Sequence, residues 1–132
     1  MRNQRQVQIF FPRFSEQDPP EDNPFGLTPV SRFVNPETPA RGALEALLAN
    51  TTEDEERQGF GSLDTSGLSI GVLTISNFQA QVDFFSGGTK QWRGDLAPFI
   101  FRDAVEATLR QFPTVQSVTV MVDSDPNFGS LV

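Results

Sequence analysis

A chain of 132 residues is one domain's worth, and a formal net charge of −7 gives it a mean field that repels phosphate backbones and anionic lipid heads, so no nucleic-acid partner is expected. The sequence contains no His and no Cys. That removes the usual general base near neutral pH, the Ser-His and Cys-His catalytic pairs, the commonest transition-metal ligand, disulfides and sulfur-based zinc sites.

Residues 1–6 (MRNQRQ) are basic and polar and run into a strand-like segment, without the apolar stretch of a signal peptide. No apolar run approaches a bilayer span, so membrane contact is expected only through a tether that this chain does not carry. Residues 6–11 (QVQIFF) alternate Val7, Ile9 and Phe11 against Gln6, Gln8 and Phe10, the period of a half-buried strand. Residues 12–29 form a Pro-rich acidic loop; with Pro36 and Pro39 this region holds seven of the ten prolines. A short strand is expected over residues 30–34.

Thr38-Pro39 opens a helix, with threonine at the cap and proline at the first helical position. Ala40, Ala43, Leu44, Leu47 and Leu48 recur at helical spacing and predict one core-facing stripe, with Arg41 and Glu45 outward. Asn50 is read as the left-handed residue that ends this helix. Thr52 and Glu55 have the spacing of a capping box, and Glu53, Asp54, Glu55 and Glu56 sit at the positive end of the new turn. These acids are assigned a structural role.

Residues 67–76 and 78–85 read as a hairpin turning near Ser76-Asn77, with Phe78, Ala80, Val82 and Phe84 on one face and Gln79, Gln81 and Asp83 on the other. Residues 86–94 (SGGTKQWRG) read as a flexible loop. Asp95 is expected to cap a second helix carrying Pro98 in its tolerant first turn. Phe101, Val105, Thr108, Leu109 and Phe112 form its buried stripe, and Pro113 stops it. A last strand over residues 115–122 sends Val118, Val120 and Val122 inward, before a C-terminal tail at residues 124–132.

This order predicts an α+β fold in one domain: a two-layer sandwich with two helices packed on one face of a mixed sheet of four or five strands. The uncovered face would carry Gln6, Gln8, Gln79, Gln81, Ser117 and Thr119, polar and nearly uncharged.

Several motifs resolve into simpler readings. Asp123, Asp125 and Asn127 imitate the opening of a calcium loop, yet Phe128 stands where such a loop needs glycine, and its bidentate glutamate would fall beyond Val132. Residues 58–65 (QGFGSLDT) lack the basic and aromatic residues of the RRM signature, leaving RNA binding disfavoured. The SGGTK glycines lack P-loop order. Arg93-Gly94-Asp95 and the Asn50-Thr51-Thr52 sequon are short enough to arise by chance. An alternative class is a carboxylate-dependent hydrolase using Asp83 and Asp123, or a glycan-binding module.

The segments LEALLANTTEDEERQGFGS, GVLTISNFQAQVDFFSGG and ATLRQFPTVQSVTVMVD together resemble the GerMN domain of bacterial sporulation and spore-germination lipoproteins. Ala43, Leu44, Leu47, Leu48, Glu55, Gly59, Val82, Asp83, Thr108, Leu109, Phe112, Pro113, Val115 and Val118 match that pattern. Asn50-Thr51 replaces the family's Gly-Pro, Ser124 replaces a glycine after Val-Asp, and the acidic proline loop is longer. The resemblance implies a non-catalytic, extracytoplasmic, usually membrane-tethered module with no cofactor, a protein partner in the cell envelope, and possible homo-oligomers. Contacts are expected on the open face at Gln79, Gln81 and Thr119, or on the loop bearing Phe85 and Trp92; Trp92 is also read as a lid on the core edge.

Overall fold

The computed structural model describes residues 3–14 and 17–128. The alternation near the N-terminus becomes β1 (Arg5–Pro12), with Val7, Ile9 and Phe11 fully buried. It pairs antiparallel with β2 (Leu27–Val34), in a register running from Arg5 opposite Val34 to Pro12 opposite Leu27. This strand is longer than expected and takes Pro29 out of the predicted loop.

Helix α1 (Pro39–Ala49) buries Ala43, Leu44 and Leu47, as its spacing predicts. Thr38 caps it only through its backbone, its carbonyl accepting from Gly42 N–H at 2.9 Å. Asn50 ends the helix with φ 75° and ψ −169°, a positive φ as expected but an extended ψ instead of the left-handed helical one. The short α2 (Glu53–Arg57) opens on the predicted capping box, with Glu55 N–H donating to Thr52 Oγ1 and Thr52 N–H donating to the Glu55 carboxylate.

Strands β3 (Ser69–Ser76) and β4 (Gln79–Phe85) form the hairpin. Its turn falls at Asn77-Phe78, where φ is 52° and 61°, the doubly left-handed geometry of a two-residue hairpin loop. Phe78 therefore leaves the inward row assigned to it and stands exposed. Helix α3 (Ala97–Arg110) starts later than predicted: Leu96, not Asp95, occupies the cap, and no side chain satisfies the first amides. Phe101, Val105, Thr108 and Leu109 are buried as the spacing requires. Strand β5 (Ser117–Val122) runs parallel to β4.

The α+β class holds, with the five strands divided into a two-stranded sheet, β1-β2, and a three-stranded sheet, β3-β4-β5, instead of one continuous sheet. A side chain stands where a further strand would pair with β1. Gln8 N–H donates to Gln111 Oε1 at 2.8 Å, and Gln111 Nε2 donates to Gln8 O at 2.6 Å. The amide just beyond α3 thus takes both outward backbone groups of the strand. Helices α1 and α3 pack on each other and on β1, with α3 also on β5 and α1 on β2 and β3. Phe84 and Phe101 meet edge to face at the centre of one hydrophobic cluster, 5.0 Å between centroids.

Candidate interaction surface

Strand register assembles the open face row by row. Opposite residues share a face, so Ser76, Gln79 and Ser117 form one row, Thr74, Gln81 and Thr119 the next, and Val72, Asp83 and Met121 the third. The first two rows are exposed throughout and carry no charge. Gln6 and Gln8, predicted for the same face, lie on the other sheet and bond to Ser31 Oγ of β2 at 2.9 and 3.3 Å.

Asp83 departs from its polar neighbours. It is buried, and its carboxylate accepts from Ser124 N–H and Ser124 Oγ, both at 2.9 Å. Ser124 and Asp123 both have positive φ, 68° and 50°, in a tight turn whose ends, Val122 and Asp125, exchange backbone hydrogen bonds. Asp123 points elsewhere, accepting from Ser86 N–H at 2.8 Å, from Ser86 Oγ and from Gly88 N–H at 3.2 Å. The Ser86 hydroxyl bond, helped by these amides, holds the Asp123 carboxyl below its ordinary range. Each carboxylate fastens a different loop, and the two share no partner.

The loop read as flexible is tied at both ends. Beyond the Asp123 bonds, Lys90 Nζ donates to Asp64 Oδ1 at 2.6 Å and to Ser66 O at 3.0 Å, and Arg93 N–H donates to Asp64 Oδ2 at 2.8 Å. The Lys90 side chain is only 3% exposed and Asp64 11%, so this ion pair is nearly dry. Burial pushes the Asp64 carboxyl up, but the Lys90 bond, the Arg93 amide and both positive charges outweigh it and hold it down. Lys90 also lies 4.6 Å from the Trp92 ring centre.

Trp92 stacks on Phe128 at 5.7 Å and tilts against Phe101 at 5.7 Å. Of its two predicted roles, this is the geometry of the lid. Phe85 is exposed and lies across Gly71, where a Cβ would come within 2.5 Å of its ring carbons. The face residues Gln79, Gln81 and Thr119 come together as predicted, while Phe85 and Trp92 belong to the β4 end and its loop.

Sequence reasoning missed the partner of Glu55. Arg32 of β2 grips this carboxylate with both terminal guanidinium nitrogens, at 2.6 and 2.7 Å. Asn50 was read only as a helix stop, yet its side chain donates to Leu63 O at 2.7 Å and accepts from Leu63 N–H at 2.9 Å, as a strand neighbour would. Asp125 accepts from Asn127 N–H at 2.8 Å, which makes the calcium-like segment a polar turn; the tail from residue 129 onward lies outside the described residues. Among the described residues no group of acids is arranged to hold a metal ion, and no helix is long and apolar enough to cross a membrane. One surface groove of about 710 Å³ lies between the loop at Asp64 and the start of α3.

The comparisons agree with this architecture. No curated protein matches the chain. Among solved structures, the tandem GerMN domains of the sporulation protein GerM from Bacillus subtilis superpose with a TM-score of 0.67 at 14% identity, covering 92% of this chain and 40% of that one. The first GerMN domain of the same protein gives 0.58 at 18% identity over 91% of this chain and 84% of that one. A candidate lipoprotein from Clostridium perfringens gives 0.50 at 13% identity over 92% and 76%. Likenesses at such identity speak to the fold alone, and the chain spans well under half of the tandem structure. A family model described as Germane, sporulation and spore germination, matches residues 8–128. Since that match takes in almost every described element, the chain belongs to the Germane family and folds as a GerMN-type domain.

Proposed function

We propose that this chain is a non-catalytic protein-interaction or assembly module of a bacterial envelope protein, working outside the cytoplasm in a sporulation- or germination-type system and held at the membrane by a tether. The observation that carries the reading is the bare outer face of β3-β4-β5. A chain of net charge −7 keeps its Gln, Ser and Thr rows free of charge there. Such a face can hydrogen-bond to a protein surface without desolvating an ion. The family description supports the cellular setting. The carboxylates that could have served hydrolysis, Asp83 and Asp123, are spent on separate turns.

The test is capture of partners from envelope extracts with the native chain and with Gln79→Arg plus Gln81→Arg. These side chains are exposed, so the fold should tolerate the change, and partner recovery should fall at least tenfold for a buried contact worth about 1.4 kcal/mol or more. Unchanged recovery removes this face from consideration.

A further inference from the structure

Among the described residues, four strands have an edge that faces no other strand, and three of those edges are blocked. The edge of β1 is taken by Gln111 at Gln8. Because Gln8 turns its backbone groups away from β2, the pairs Gln8-Ser31 and Phe10-Pro29 are the non-bonded ones. Pro29 therefore puts its missing donor on the outer edge of β2, where prolines obstruct pairing. On β5, Val122 exchanges both backbone bonds with Asp125.

Among the described residues, strand β3 has no such cover. Its sequence, SIGVLTIS, contains no charge and no proline, and its one irregularity is the register shift between Ile70 and Val72. Across the two-residue turn, Ser76 and Gln79 form a bonded pair, and alternation makes Thr74-Gln81 the next. The N–H and C=O groups of Leu73 and Ile75 thus point away from β4. Their side chains are partly buried and line a groove of about 510 Å³ whose other wall includes Ala40 and Pro113, with Arg5, Glu37 and Arg41 as its charged residues.

We infer that β3 is a homodimer edge, on which a second copy of this chain pairs antiparallel about a two-fold axis at Thr74. The inference rests on the assembly reading above and specifies its geometry. Leu73 would exchange two backbone bonds with Ile75 of the second copy, and Ile75 two with its Leu73, giving one six-stranded sheet. A self-pairing strand must match itself, and an uncharged one meets no like charge. The groove carries both signs, Glu37 beside Arg5 and Arg41, so a two-fold axis can set Glu37 of one copy toward an arginine of the other.

Sedimentation equilibrium of the native chain, from micromolar to millimolar concentration, should show monomer and dimer. Association should strengthen with added salt, which screens the repulsion between two copies of net charge −7. Thr74→Lys and Thr74→Glu place like charges face to face on the axis and should each weaken dimerisation up to about fivefold. Mixing the two variants should restore it, because opposite charges then meet. Amide exchange at Leu73 and Ile75 should slow with concentration in the native chain. A native chain that stays monomeric throughout, a dimer indifferent to charge at Thr74, or a variant mixture no tighter than its components overturns the inference. The Gln79→Arg plus Gln81→Arg chain should still dimerise, so loss of partner capture and loss of the dimer can be told apart.

Discussion

Glu55 and Arg32 join the short helix α2 to strand β2 through two parallel hydrogen bonds of 2.6 and 2.7 Å, and the same carboxylate closes the capping box at Thr52. One acid of the run Glu53 to Glu56 therefore carries structure across 23 residues of chain, while Glu53 and Asp54 reach only the exposed Arg57. Glu55→Gln should cost about 1 to 3 kcal/mol of stability, the range for a charge-assisted, partly buried pair. Glu53→Gln and Asp54→Asn should stay within about 0.5 kcal/mol. Urea unfolding of the three variants checks the contrast.

The pH dependence has a defined sign. The Arg32 bond holds Glu55 below its ordinary range, and Asp64 and Asp123 are held down as well. A depressed carboxyl contributes stability that is present above its unfolded value, near 4, and is lost as pH falls through the folded one. Burial raises Asp103 and Glu106 on α3, despite the positive charges of Arg102 and Arg110. Those two act in the opposite sense, favouring the fold while protonated and losing that contribution as pH rises through their folded values. Unfolding midpoints measured downward from neutral pH should drop below about pH 4, and Glu55→Gln should flatten the drop. Asp103→Asn and Glu106→Gln should each raise stability at neutral pH by under about 1 kcal/mol, since both groups are partly solvated.

Thr108 is fully buried on α3, and its hydroxyl finds no hydrogen-bond partner among the described residues. Thr108→Val removes an unpaired polar group at nearly constant volume and should stabilise the chain by about 1 kcal/mol. A rise in melting temperature verifies this, and a fall would mean that the hydroxyl is satisfied.

Local rules carried the elements whose causes are local. The Leu and Ala spacing of α1, the Gln79 to Phe84 alternation of β4 and the three-residue span of the Thr52-Glu55 box each describe neighbours in the chain. What stayed hidden depends on distant partners. Gln111 closes β1 from 103 residues away, Ser124 buries Asp83 across 41, and Arg32 finds Glu55 across 23. Asp83 falls on the polar half of an alternating strand, and only its turn partner draws it inside. Pro29 argued against a strand because the pattern cannot tell an edge from a centre. Of the candidate surface, the common face of Gln79, Gln81 and Thr119 was legible because side chains two apart on a strand share a face, whereas the packing of Trp92 on Phe128 required the fold.

Asn50 combines a positive φ with two bonds to the Leu63 backbone, and both features are needed to pin the end of α1 to the following loop. Asn50→Gly keeps the backbone geometry and loses the bonds; Asn50→Ala loses both. The expected order is Asn50→Ala destabilised by about 2 to 4 kcal/mol and Asn50→Gly by about 1 to 2. Equal losses would show that the backbone conformation contributes nothing.

Site-specific photocrosslinking inside living cells of the native host tests the interaction surface most directly. A photoreactive residue would replace Gln81 or Thr119 on the open face, with Glu45 on the exposed side of α1 as the reference position. The prediction is a discrete protein adduct at Gln81 and Thr119 and none at Glu45. Adducts at Glu45 with none at the two face positions would contradict it.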